Sequence, residues 1–141
     1  LNADPTVGAD VHFLNTGVPH AVAFLDKLEG LDISRLGAYL RYHEAFSPKG
    51  TNANFARILS PGHIAIRTYE RGVEDETLAC GTGITACALL HAVLTDAPSP
   101  IQVDVAGGDT LKVGFQRTGD RFTDVTLTGP ADLVFTGDIQ I

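Results

Sequence analysis

Methionine and tryptophan are absent from this 141-residue chain, cysteine occurs twice, and ten lysines and arginines face seventeen aspartates and glutamates, for a net charge of −7. Each shortage excludes something. Phosphate backbones and anionic membrane surfaces are held by clustered cationic side chains, and the ten here are scattered, so neither nucleic acid nor a membrane is expected as a partner. No apolar run approaches the roughly 20 residues that cross a bilayer, and the N-terminus has neither the basic nor the apolar part of a secretory signal. A cytoplasmic location follows as the expectation. A methionine-free chain that opens on Leu1 reads as a processed or excised piece rather than a complete natural product. With 44% hydrophobic residues it suits one domain and one core, burying roughly two thirds of the surface of the unfolded chain.

What is present is mostly short and alternating. Ile64–Tyr69, Ile101–Val105 and Phe122–Leu127 repeat with period two, as half-buried strands do, and 11–14, 21–25, 111–115 and 133–136 are further candidates. Turn signals at Ser60-Pro61-Gly62, Gly107-Gly108-Asp109, Thr118-Gly119-Asp120 and Gly129-Pro130 separate them, and there is no repeat, linker or low-complexity tract. Asp32 caps a predicted helix from Ile33 to about Tyr42, with Ile33, Leu36 and Leu40 on one stripe. A second predicted helix, following Cys80, is apolar nearly all round and must therefore be enclosed by other elements. Many strands and one engulfed helix predict an α+β fold, a curved, largely antiparallel or mixed, barrel-like sheet wrapped around a central apolar helix.

The segment Cys80-Gly81-Thr82-Gly83 places a thiol at the mouth of that helix. Unpaired backbone N–H groups and the positive end of the peptide dipoles favour a thiolate there, and the two glycines leave room for a small anion on the same donors. Local chemistry alone leaves Cys80 balanced between a small core hydrophobe and a functional thiol. Cys87 lies two turns further on, about 10 Å along the axis, too far for a disulfide with Cys80, and reads as core. His12, His43, His63 and His91 have no metal-site spacing and receive no chemistry.

Tyr69-Glu70-Arg71-Gly72 followed by Glu76-Thr77-Leu78-Ala79-Cys80-Gly81-Thr82-Gly83 resembles the second-half signature of the diaminopimelate epimerase family, of the proline-racemase-like group. Gly17-Val18-Pro19-His20 and Gly50-Thr51-Asn52-Ala53-Asn54-Phe55 resemble two further landmarks of that half, in the same order. The resemblance covers nearly the whole chain. It implies that residues 1–141 correspond to the C-terminal half, with the N-terminal half absent, and it implies the same fold. The implied enzyme is a cofactor-independent, metal-free isomerase in which one cysteine, as thiolate, removes a proton from the stereocentre while a second delivers one to the opposite face. Cys80 matches the second-half cysteine; nothing here matches the first. A partner is therefore implied, either the missing half or a second copy bringing its own Cys80 across a two-fold axis, along with a small amino-acid substrate.

The resemblance also assigns roles to residues whose plain readings differ. Glu70 and Arg71 read by themselves as an exposed ion pair; the family makes Glu70 the partner of Cys80 and holder of the α-ammonium, and Arg71 a fork for the distal carboxylate. His20 reads as a solvated loop residue; the family makes it tune the cysteine of the missing half. Asn52 reads as a turn residue; the family makes it a substrate ligand. The amides of Gly81 and Thr82 would take the α-carboxylate. Two departures stand out: one extra residue between Glu70 and Cys80, and Val18 where the family pattern has Asn before Pro-His, for which Asn15 is the available substitute. The implied reaction interconverts LL- and meso-2,6-diaminopimelate, on the route to lysine and peptidoglycan. A proline or hydroxyproline type of racemase, and a non-catalytic binding module, are the alternatives.

Overall fold

A computed structural model describes residues 8–141. Eight strands and two α-helices follow in the order β1 (Val11–Asn15), β2 (Pro19–Phe24), α1 (Ile33–Arg41), β3 (Asn52–Ser60), β4 (His63–Glu70), β5 (Asp75–Thr77), α2 (Gly81–Thr95), β6 (Ile101–Asp104), β7 (Thr110–Thr118) and β8 (Arg121–Thr128). They form one mixed sheet in the order β1-β2-β3-β4-β6-β7-β8, with β5 on β4 beside β6. The β2–β3 and β4–β6 pairings are parallel and the rest antiparallel.

Helix α2 contacts β1 to β4 and β6 to β8, both outer strands among them. A flat sheet along that path would span roughly 29 Å, more than the ~22 Å length of a 15-residue helix, so the sheet curls around it. The expected wrapped helix is therefore present. Its buried side, Ile84, Cys87 and Ala88, packs on Val22, Ala56, Ile64, Ile66, Ile101 and Val113. On the outer face of the sheet, α1 lays Ile33, Leu36 and Leu40 over Ala21, Ala23, Ala53, Phe55 and Tyr69. Each of those aliphatic side chains contributes about 1.5–3 kcal/mol by leaving water. The helix starts where the Asp32 carboxylate accepts from Arg35 N at 3.0 Å. It sits so close to β4 that a Cβ at Gly37 would collide with the Tyr69 side chain.

Four points differ from expectation. Asn52–Ser60 is a nine-residue strand buried at Asn52–Ala56, where sequence periodicity is silent because both faces are covered. Asp75–Thr77 is a strand only through its pairing with β4. The expected strand 133–136 is absent: Leu133, Val134 and Phe135 are over 80% exposed and no described strand lies beside them, so their backbone has no ladder to join. β8 does form, but it is solvated on both sides rather than half-buried.

Candidate active site at the mouth of α2

Alternation along β2, β3 and β4 sends His20 and Val22, Asn54 and Ala56, and Ile66 and Thr68 to the inner face, toward α2. Deep in the sheet these positions are apolar. At the end facing the start of α2 they become polar, so that His20, Asn54 and Thr68, each at most 2% exposed, form a row across three strands. Such a row is tolerated only if its members satisfy one another.

They do. Thr68 Oγ1 donates to Asn54 Oδ1 at 2.9 Å; Asn54 Nδ2 donates to the Ala21 carbonyl at 3.1 Å and to His20 Nδ1 at 3.0 Å; His20 Nε2 lies 2.9 Å from Thr82 Oγ1. Thr82 Oγ1 is in turn 3.6 Å from Cys80 Sγ. Cys80 is the N-cap of α2, extended at φ −134° and ψ 108°, partly exposed, and its sulfur caps no backbone N–H. The first turn of α2 reaches the row because residue 83 is glycine: a Cβ there would stand 2.6 Å from Asn54 Oδ1 and 3.2 Å from His20 Cε1. The glycine that was expected to clear space for an anion clears it for the protein's own side chains. Thr16 Oγ1 donates to the Thr82 carbonyl at 3.0 Å and ties the β1–β2 turn to the same helix mouth.

His20 is fully buried, which corrects the solvated-loop reading. Burial, with a smaller contribution from the Arg71 charge, pulls its pKa down to about 4, so the ring is neutral near pH 7. Asn52 is the first residue of β3 rather than a turn residue, and its amide is a clamp: Nδ2 donates to the Pro19 carbonyl at 3.0 Å and Oδ1 accepts from Arg71 N at 2.8 Å. It thereby sets where β2 begins and where β4 ends. Arg71 gives one guanidinium N–H to the Lys49 carbonyl at 3.2 Å. Glu70 is the last residue of β4, half-buried, and among the described residues its carboxylate makes no hydrogen bond or ion pair, with Cys80 or with any other side chain. Asn15, at the end of β1, accepts from Gly17 N through Oδ1 at 2.9 Å, which holds the turn before Val18 and leaves its Nδ2 protons unengaged by that bond.

The segment between Glu70-Arg71 and Cys80, which carries one extra residue, begins with a tightly held turn. Glu74, at φ +61°, accepts from Tyr42 Oη at 2.6 Å, Gly72 N at 2.7 Å and Arg41 Nε at 2.9 Å. These bonds, that of Tyr42 foremost, hold its carboxyl down at about 2. The turn is thus pinned to the end of α1. Asn54, Thr68 and Glu74 carried no role in the sequence; for Asn54 the available signal was an asparagine two residues after Asn52, hence on the same strand face. A cavity of about 720 Å³ lies elsewhere, where β5 and β6 diverge from β4. It is lined by the Arg67–Glu76 ion pair and excludes Cys80, so chemistry rather than volume locates the site. Among the described residues no cluster of three or more His, Cys, Asp or Glu side chains could hold a metal, and no helix is long and apolar enough to cross a membrane.

The chain matches the family model described as diaminopimelate epimerase over residues 12–134. It is similar to proteins named diaminopimelate epimerase from Chlorobaculum tepidum (45% identity over 131 residues, 92% of this chain and 50% of that protein), Flavobacterium psychrophilum (47%, 87% and 48%) and Methanocella arvoryzae (40%, 97% and 46%). It therefore spans about half the length of the curated relatives it matches. Two crystal structures share the fold at low identity. One is a PhzF-family phenazine biosynthesis protein from Bacillus anthracis (TM-score 0.53, 16% identity, 78% of this chain and 36% of that one). The other is a probable proline racemase from Agrobacterium radiobacter (TM-score 0.52, 18%, 85% and 40%).

Proposed function

Since this chain belongs to the diaminopimelate epimerase family, we propose that it is the C-terminal half of an enzyme interconverting LL- and meso-2,6-diaminopimelate, with Cys80 as one of two acid/base groups. In one direction the Cys80 thiolate takes the α-proton and becomes a thiol. The carbanion receives a proton on its opposite face from a thiol that this chain does not carry, and that thiol becomes a thiolate. Protons and charge balance, and the reverse direction begins from the products. Gly81 and Thr82 amides, unpaired at the helix start, bind the α-carboxylate; Glu70, with no partner among the described residues, holds the α-ammonium; the remaining donors of Arg71 take the distal carboxylate. Asn52 acts by holding Arg71 and Pro19 in place, with one Nδ2 proton left for the substrate.

What supports this most is the partly exposed Cys80 thiol at the mouth of α2, tied through Thr82 to a buried, neutral histidine. The other thiol, Cys87, is fully buried on the same helix, so the chain alone lacks a second acid and should not epimerise. The missing half, or a second copy meeting it across a two-fold axis, would complete the site. The measurement is α-proton exchange of LL- and meso-diaminopimelate in heavy water, with this chain alone and with an N-terminal half from a relative. Epimerisation is expected only in the mixture, whereas the chain alone should exchange the α-proton of a bound stereoisomer with heavy water without inverting it, which a non-catalytic binding module would not do. Epimerisation by the monomeric chain alone, or a mixture that turns over proline but not diaminopimelate, would sink the proposal.

A further inference from the structure

We propose that Asn54 is a positioning residue: it holds His20 in the Nε2–H tautomer, so that the Thr82 hydroxyl, accepting from His20, turns its own proton toward Cys80 Sγ. This deepens the reading of Cys80 as an acid/base group and rests on it.

Each bond in the row has a direction that chemistry dictates. The Ala21 carbonyl can only accept, so the Asn54 group 3.1 Å from it is the amide nitrogen, and Oδ1 is left to receive the Thr68 hydroxyl proton. The same Nδ2 meets His20 Nδ1 at 3.0 Å, so that ring nitrogen must be the acceptor. In a neutral imidazole the proton then sits on Nε2, which donates to Thr82 Oγ1 at 2.9 Å. Thr82 Oγ1 has one proton of its own, and Cys80 Sγ is the partner at 3.6 Å. The opposite tautomer would reverse this: Nε2 would take the Thr82 proton and the sulfur would face a lone pair.

A sulfur that must carry negative charge before each proton abstraction gains from a fixed donor, and a donor fixed in advance costs no reorganisation when the charge appears. Burial keeps the ring neutral, which the device needs, because a protonated His20 would set an Nδ1–H against the Asn54 N–H. Arg71 is the charged group acting on His20, from the end of β4, and Cys80 is the titratable group joined to it through Thr82, from the start of α2. Glu70 closes the same strand as Thr68. The alternative, in which the row merely satisfies buried polar groups, would be indifferent to which tautomer is present.

Two measurements on the purified chain decide. Long-range proton–nitrogen correlation spectra of the labelled protein at pH 7 should show His20 with its proton on Nε2, and Asn54→Asp, whose carboxylate can only accept, should move the proton to Nδ1. The pH midpoint for Cys80 alkylation by iodoacetamide should rise by about one unit in Thr82→Val, which keeps the backbone amide but loses the hydroxyl, and return toward the original in Thr82→Ser. Asn54→Asp should raise it as well. Thr82 is exposed and the valine variant should fold; if Asn54→Asp does not, the wild-type spectrum and the two Thr82 variants still decide. A wild-type His20 protonated on Nδ1, or a midpoint unmoved in Thr82→Val, overturns the proposal. Exchange of the diaminopimelate α-proton is a separate readout: its absence with the tautomer and midpoint as expected would count against the proposed reaction and leave the relay standing.

Discussion

Helix α2 twice brings a cysteine near a buried histidine, Cys80 with His20 at its first turn and Cys87 with His91 further along, and the two sets are built differently. Both histidines are fully buried and both are pushed toward the neutral form by burial. His20 has partners on both ring nitrogens, in a chain that leads to a partly exposed sulfur. His91 accepts from Gly62 N at 3.2 Å through Nε2, so its proton sits on Nδ1, where it has no partner among the described residues. Cys87 is fully buried, and desolvation raises its thiol far above the ordinary range. Burial is common to both ends. What separates a site from a packing accident here is a connected path of donors and acceptors that ends at solvent, and only the first turn has one.

The largest expected effect follows from that path. In an enzyme assembled from both halves, Cys80→Ser should lower epimerisation roughly 10²- to 10⁴-fold, whereas Cys87→Ser should change it less than about tenfold. Alkylation should find Cys80 first; faster labelling of Cys87 in the native chain would abolish the distinction.

Next is the dependence of stability on acid. His20 has a folded pKa of about 4 against 6.5 when unfolded, so the unfolded state binds more protons in between; stability is intact above pH 6.5 and is lost as pH falls through 4, by on the order of 3 kcal/mol. Urea melts from pH 7 to 4, with His20→Gln as the variant that flattens the curve, read this directly. A wild-type curve already flat over that interval would mean that the ring is not held as described.

Gly83→Ala should destabilise by about 2 kcal/mol, because its methyl group has only Asn54 Oδ1 and His20 to displace, while Gly81→Ala, which meets only Leu127 Cδ2 at 3.2 Å, should cost well under half of that. Equal effects in chemical denaturation would show that the mouth is not tightly packed. Smallest is His91→Leu, which removes an unpaired buried Nδ1–H but strands the Gly62 N–H. The two terms offset, and a net change within about 1 kcal/mol is expected. A loss as large as that of His20→Leu would make the two histidines equivalent after all.

Much of the molecule was legible in the sequence where the signal is local. The Asp32 cap and the Ile33, Leu36, Leu40 stripe describe α1, and the all-round apolar run after Cys80 describes a helix that must be wrapped. Strands with one solvated face announced themselves by alternation; β3, covered on both faces, did not, and Asn52 and Asn54 within it argued against a core strand. The apolar run Leu133-Val134-Phe135 shows the converse, since strand-forming residues without a partner make no strand.

For the site, the sequence by itself determined that a thiol stands at a helix mouth beside glycines, because cap, dipole and glycine spacing are properties of neighbouring residues, and it determined the family through motifs of the same local kind. Only the tertiary structure decided what that thiol touches. Thr68, Asn54, His20 and Thr82 lie on β4, β3, β2 and α2, and they meet because a parallel β2–β3 register and an antiparallel β3–β4 register set them in one row, with Gly83 letting the helix descend onto it. Hydrogen bonds depend on tenths of an ångström and on direction, and those are set by register and docking between elements far apart in the chain.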